Sequence, residues 1–302
     1  FMVGPEQVTA ANPAYAAFLD EQVRRYGRRH PIIAAEYFLE PMDGTGGLFP
    51  PARLALMRGD HPRQRSPRPG ERYVAAIAPA GGDPATAGEQ LANPGRDFTA
   101  ATMFRLVDSA GGGPVYEAVD VFIDRGSPHF RGEPGRPALA ERLLAWLRHW
   151  EPAHAIIDAA GVGQGLADWL GERFGRGRLT PHPINSAAAK ARLGSDFLAL
   201  VDTGRFRYWA GDEEEPSADG WWFRQQAEAC AYALGPGGRF DRDLRWGVAE
   251  SARVATPLGP QLVHDDRLLS AALVAELERR RAAGRLMLGE GESRVVGPGG
   301  MN

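Results

Sequence analysis

The sequence predicts a mixed α/β fold, one sheet with helices on its faces, and three observations carry that expectation. From residue 73 onward, short apolar runs bounded by glycine and proline alternate with stretches of helical period. The first three runs follow one another closely enough to pair as an antiparallel meander. The later runs are each separated by a helix, and strand–helix–strand order requires parallel pairing through a crossover.

The elements follow in order. Residues 5–56 read as amphipathic helix, with apolar side chains at helical spacing over 14–26, and then as turns around Asp43-Gly44-Thr45-Gly46-Gly47. Residues 59–71 are polar and arginine-rich, carry Pro62, Pro67 and Pro69, and read as a linker or domain edge. Strands are expected over 73–77, 102–107 and 115–123, the last two around the turn 109–113. A helix over 137–150 places Leu139, Leu143, Leu144 and Leu147 on one face. Then come strand 153–158, helix 163–174, strand 179–184 and the long helix 186–201. Residues 206–209 and 244–249 look strand-like, 220–234 helical, and 264–281 a clear helix. The glycine-rich end from 289 reads as a mobile tail, and no internal repeat is found.

Composition narrows the function classes. The 302 residues are 43% hydrophobic and 24% charged, which is ordinary globular usage. No apolar run approaches the roughly 18 residues of a membrane span, and residues 1–4 show no leader pattern. Cys230 is the only cysteine, so neither an internal disulfide framework nor a multi-cysteine zinc site is expected; it reads as a buried, inert thiol. The net charge of −3 excludes a uniformly basic nucleic-acid binder. Lys190 is the only lysine, and Arg53, Arg58, Arg63, Arg65, Arg68 and Arg72 crowd residues 51–72. Such a patch suits phosphates or, equally, a solvated linker.

Acidic residues at strand ends and helix starts are the chemical signal. A two-metal nuclease needs carboxylates from separate elements converging on hard divalent ions. Asp158 closes an apolar strand and precedes the glycine loop Gly161-Val162-Gly163-Gln164-Gly165. It is a ligand candidate or, equally, a loop-capping acid. His264-Asp265-Asp266 opens an apolar helix, where the helix dipole and capping alone favour acids. One of Asp265 and Asp266 is expected to face a site while the other caps. The strand ending Ile77-Ala78-Pro79 carries alanine where a carboxylate would complete the set. Asp83, five positions on, stands in a glycine loop that makes a poor platform for a ligand. The turn after Asp158 also approaches a dinucleotide fingerprint, but the sixth position from Gly161 is Leu166, so no NAD site is expected. No phosphate-binding G-x-x-x-x-G-K-[ST] loop occurs.

Taken together, residues 73–83, 156–170, 185–206 and 264–276 resemble the C-terminal nuclease domain of tailed-phage terminase large subunits, over roughly 70–295. The resemblance implies an RNase H-like (RuvC-like) fold, α/β with a mixed sheet flanked by helices. It implies a linker segment over 1–70 leading toward an ATPase domain, a nuclease domain over 71–288, and the tail 289–302. It implies an endonuclease that cuts concatemeric viral double-stranded DNA during packaging, using two Mg²⁺ or Mn²⁺ ions. The ligand positions map onto Ala78, Asp158 and Asp265, with Asp266 as an extra ligand and Lys190 approaching DNA. Implied partners are a portal and a small terminase subunit, with no membrane, in the cytoplasm of an infected bacterial host. The family pattern Ile-Asp-Pro-Ala-Gly reads Ile77-Ala78-Pro79-Ala80-Gly81 here, which we read as an inactivating Asp→Ala replacement. A DNA-binding or assembly module without catalysis, and another RNase H-like enzyme such as a resolvase, stay open.

Overall fold

A computed structural model describes residues 3–40, 43–80, 98–109, 113–132, 134–135, 137–216 and 218–288. Asp83 with its glycine loop, the turn positions 110–112 and the tail from 289 lie outside the described residues.

The centre is a seven-stranded sheet. Its strands are β2 (Arg58–Pro62), β3 (Arg72–Ala78), β4 (Thr99–Val107), β5 (Val115–Asp124), β6 (His154–Asp158), β7 (Leu179–His182) and β8 (Phe206–Ala210), in the spatial order β2-β8-β5-β4-β3-β6-β7. β3, β4 and β5 form the expected antiparallel meander. β6 and β7 add parallel beside β3, and β8 pairs parallel with β5. The chain reaches each parallel partner through helices: Leu139–Trp150 between β5 and β6, Val162–Phe174 between β6 and β7, and Ala187–Asp202 between β7 and β8.

Alternation along β3 sorts the core into two layers. Val74, Ala76 and Ala78 pack with Leu193, Phe197, Leu268 and Ala272, so the helices Ala187–Asp202, Asp266–Ala272 and Val274–Ala282 cover that face. Tyr73, Ala75 and Ile77 pack with Leu143, Leu147, Leu166 and Leu170, under the helices Leu139–Trp150 and Val162–Phe174. The apolar stripe predicted at 139, 143, 144 and 147 is the buried face of the first of these.

Several local expectations change. The polar stretch 59–71 does not run free: its start is β2, the edge strand beside β8. Residues before it also pack on the sheet. The Arg53 guanidinium grips the fully buried Asp202 carboxylate through two bonds of 2.8 and 3.0 Å, and reaches the carbonyls of Leu48 and Arg29. Buried His30 accepts from the Ile32 N–H at the start of helix Pro31–Phe38 and donates through Nε2 to the Ser195 carbonyl. Thr45–Gly47, expected as turn, is the short strand β1. The helix expected over 220–234 stops at Ala229, and Cys230–Leu234 is a strand, β9, between β1 and β10 (Leu244–Val248). A hairpin of β11 (Arg253–Thr256) and β12 (Gly259–Leu262) has no counterpart in the sequence reading. The last helix breaks at Leu273 into Asp266–Ala272 and Val274–Ala282.

Candidate active site

Parallel register puts Ile77 beside Ile157, so Ala78 and Asp158 end neighbouring strands. Ala78 belongs to the core layer that includes Ile156, and alternation turns the Asp158 side chain to the same face. The two strand ends touch through the loop that follows each. A Cβ on Gly163 would lie 1.9 Å from the Asp158 carbonyl oxygen and 3.5 Å from Pro79 Cγ. Glycine at 163 therefore lets the start of helix Val162–Phe174 close onto the end of β6. The loop glycine Gly161, at φ +54°, makes the turn into that helix. These requirements account for the glycine-rich turn without a dinucleotide.

The Asp158 carboxylate is held from two sides. Its Oδ1 accepts the backbone N–H of Ala160 and of Ile184, each at 3.0 Å. The carboxylate thus ties the loop after β6 to the chain leaving β7. His182, paired in register with Asp158, places Nδ1 3.6 Å from Glu276 Oε1, and burial holds its imidazole below the usual range. Neither His182 nor Glu276 stood out in the sequence, because one is a strand residue and the other an internal helix residue without a motif.

Helix Asp266–Ala272 packs on the same face. Leu268, Ala271 and Ala272 join the core layer of Ala78, and Ser270 Oγ lies 2.7 Å from Thr102 Oγ1 of β4. Asp265 occupies the N-cap position but makes no side-chain capping bond. Its carboxylate faces Lys190 instead, with Oδ2 3.7 Å from Nζ. Asp266 is the first helical residue and is buried. The His264 ring packs edge-on to Phe98.

Lys190 lies in the first turn of helix Ala187–Asp202, which Ser186 caps. Its carbonyl accepts the Trp246 indole N–H at 2.7 Å, and its ammonium sits 5.4 Å from the centre of that ring. Gly247 completes the corner: at φ +151°, its Cβ would stand 3.1 Å from Asp265 Oδ2 and 3.5 Å from Lys190 Nζ. Sequence reasoning missed Trp246 and Gly247, although an isolated glycine inside a strand is a known mark of close approach. Cys230 is buried, and burial, followed by the nearby Asp265 charge, pushes its thiol up to about 12; it is no nucleophile.

The structure therefore gathers Ala78 and Asp158 at one end of the sheet, and Asp265 and Lys190 at one helix corner on the same face. The donors here are carboxylate oxygens, the set that suits Mg²⁺ or Mn²⁺. Asp158, Asp265 and Asp266 do not form a close three-ligand group. Among the described residues such a group exists elsewhere, at Asp60, His61 and Glu117. Beside His264 opens a cleft of about 540 Å³ lined by Phe98, Arg125, Trp222, Arg253 and Arg267.

A mixed sheet of this order with helices on both faces is an RNase H-like α/β fold. More particularly, it is the fold of phage large-terminase nuclease domains. The large terminase nuclease from thermophilic phage G20c with bound magnesium superposes with a TM-score of 0.50 at 17% identity, over 78% of this chain and 98% of that one. A second structure of the large terminase nuclease from phage G20c gives 0.49 at 16%, over 76% and 97%. The large terminase of thermophilic bacteriophage D6E gives 0.49 at 10%, over 86% of this chain and 50% of that one. At these identities the likeness is one of fold. No family model matches the sequence, and no curated protein matches it.

Proposed function

We propose that the chain is a metal-dependent DNA endonuclease domain of the terminase type, weakened by alanine at position 78. The observation that carries this reading is the meeting of two strand ends, at Ala78 and Asp158, on the sheet face that also carries the helix opening with Asp265. In this reading Asp158 and Asp265, with Asp266 beside them, would hold two Mg²⁺ or Mn²⁺ ions. Bound there, the ions would supply Lewis acidity to activate a water and to stabilise the leaving oxygen of a phosphoryl displacement. The protein's part is positioning. The two backbone N–H groups on Oδ1 fix the Asp158 carboxylate, and Lys190 neutralises Asp265 and stands ready for a DNA phosphate. The substrate is concatemeric viral double-stranded DNA, with a portal and a small terminase subunit as partners in the infected host's cytoplasm. In this reading ATP-driven movement of the DNA belongs to the ATPase domain that the terminase resemblance implies.

A second reading, a DNA-binding module without catalysis, draws on Ala78 itself, which is 4% exposed and packed in the core. Supercoiled-plasmid cleavage with Mn²⁺ separates the two. The Ala78→Asp protein is expected to cut, and the chain as given to cut at least roughly a hundredfold more slowly, about 3 kcal/mol in the barrier. The double variant Ala78→Asp/Asp158→Asn should lose the gain. Equal rates for Ala78→Asp and the unchanged chain refute a ligand at 78.

A further inference from the structure

The sheet carries a second group of metal-ligand type on its other face. Asp60 and His61 come from β2 and Glu117 from β5, and one ligand atom of each lies within 4.8 Å of the others. Tyr73, Arg105 and Glu117 stand opposite one another across β3, β4 and β5. Tyr73 belongs to the core layer away from Ala78, so Glu117 projects from the face that Asp158 does not use. The two sites are separated by the sheet.

Three features mark the group as built for a ligand. First, β2 is irregular: Arg58 pairs with Tyr208 and Pro62 with Ala210, so four steps on β2 span two on β8. A bulge of this kind re-aims side chains and brings the consecutive residues Asp60 and His61 to one point. Gly59 makes the room, because a Cβ there would lie 2.6 Å from the His61 ring. Secondly, His61 is 7% exposed and its Nε2 lies 2.8 Å from the Ala118 carbonyl oxygen. A carbonyl can only accept, so Nε2 carries the proton and Nδ1 presents its lone pair. That Nδ1 is buried without a hydrogen-bond partner and points at Glu117 Oε2, 3.9 Å away. The Arg105 guanidinium already bonds this same Oε2, so what stays open is the oxygen's remaining lone pair opposite the unpartnered His61 Nδ1, a gap that a cation held also by Asp60 would fill. Thirdly, the outer contacts have the form metal ligands use: an imidazole N–H given to a backbone carbonyl, and a carboxylate oxygen braced by the Arg105 guanidinium.

We infer that Asp60, His61 and Glu117 bind one divalent transition-metal ion of the Zn²⁺ or Co²⁺ type. One imidazole nitrogen and two carboxylates suit a borderline ion better than Mg²⁺. The ion pins edge strand β2, and with it the N-terminal segment, to the centre of the sheet.

The test is a Co²⁺ titration of the chelator-stripped full chain, followed by visible ligand-field absorption and calorimetry. A histidine-type band that saturates at one Co²⁺ per chain is expected, distinct from any Co²⁺ taken up at Asp158 and Asp265. Asp60→Asn and His61→Gln should each weaken binding by more than about tenfold, while Asp158→Asn/Asp265→Asn leaves the band in place. Asp60 is exposed, so its variant folds even if His61→Gln does not. Failure to bind Co²⁺, binding indifferent to Asp60→Asn, or a band lost only with Asp158 and Asp265 each overturns the assignment. None of these outcomes depends on DNA cleavage.

Discussion

Placing a carboxylate at position 78 has a thermodynamic signature that is independent of catalysis. Ala78 is 4% exposed, and the register Ile77 to Ile157 puts its side chain one strand away from Asp158 on the same face. Neighbouring strands run about 4.8 Å apart. Two carboxylates at about 5 Å repel by about 3 kcal/mol at an effective dielectric of about 20. In chelator near pH 8, Ala78→Asp should therefore unfold in urea with up to about 3 kcal/mol less stability than the unchanged chain. A divalent ion bound between the acids reverses the sign. Saturation to about a hundred times Kd returns about 2.7 kcal/mol, so Mn²⁺ should recover most of the loss in the variant and move the unchanged chain far less. Acid acts in the same direction. The repelling pair holds a proton in the folded state more tightly than in the unfolded one, so the variant's deficit shrinks as pH falls. The assay is paired urea unfolding with chelator and with Mn²⁺ at two pH values. A variant as stable as its parent in chelator, with no Mn²⁺ increment, would show that positions 78 and 158 do not share a site.

Three further outcomes follow from packing and burial. Gly163→Ala drives a Cβ into the Asp158 carbonyl at 1.9 Å, so a loss of about 3 kcal/mol or more is expected in urea unfolding. Arg53→Ala strips the fully buried Asp202 of its partner and should cost about 3–5 kcal/mol; a loss under about 1 kcal/mol would mean that residues before β2 contribute little. His30 is held down from 6.5 to about 4, mainly by burial, so the unfolded chain takes up a proton the folded chain refuses. Stability contributed by neutral His30 is complete above about pH 6.5 and lost as pH falls toward 4, by up to about 3 kcal/mol. His154, also lowered to about 4 by burial, works the same way. A His30→Gln profile should be flatter across that window, and parallel profiles would sink the assignment.

The parts of the fold legible in the sequence are those that carry their own signal. β3, β4, β5 and β6 are apolar runs whose burial on both faces leaves little choice of conformation, and the helix Leu139–Trp150 shows its stripe. β2 was illegible because an edge strand needs only one partner and tolerates Asp60, Pro62 and a bulge. Cys230–Leu234 continues a helical pattern and becomes a strand because β1 and β10 flank it, which no local propensity records. At the candidate site, Asp158 and Asp265 were visible as acids at element ends, and Ala78 as the end of the neighbouring apolar strand. The corner of Trp246 and Gly247 was not, since its meaning comes from a helix more than fifty residues earlier.

That corner offers a way to perturb Asp265 without touching its charge. Gly247 has φ +151°, and its missing side chain leaves the gap through which the Asp265 carboxylate meets Lys190. In Gly247→Ala the new methyl would meet Oδ2 at 3.1 Å, closer than carbon and oxygen ordinarily sit, so the carboxylate has to rotate away. The helix behind it is anchored by Leu268 and Ala272 in the core and by the Ser270–Thr102 bond, so the displacement stays with the side chain. In an Ala78→Asp background, Mn²⁺ affinity should fall by about tenfold or more, the usual effect of misplacing a ligand's support, while stability in chelator drops only by the strain of a non-glycine residue at φ +151°, about 1–3 kcal/mol. Calorimetric titration reads the affinity and urea unfolding the stability, on one sample series. Unchanged Mn²⁺ affinity in Gly247→Ala would remove Asp265 from the ion's coordination and leave its pairing with Lys190 as a surface ion pair, worth well under about 1 kcal/mol.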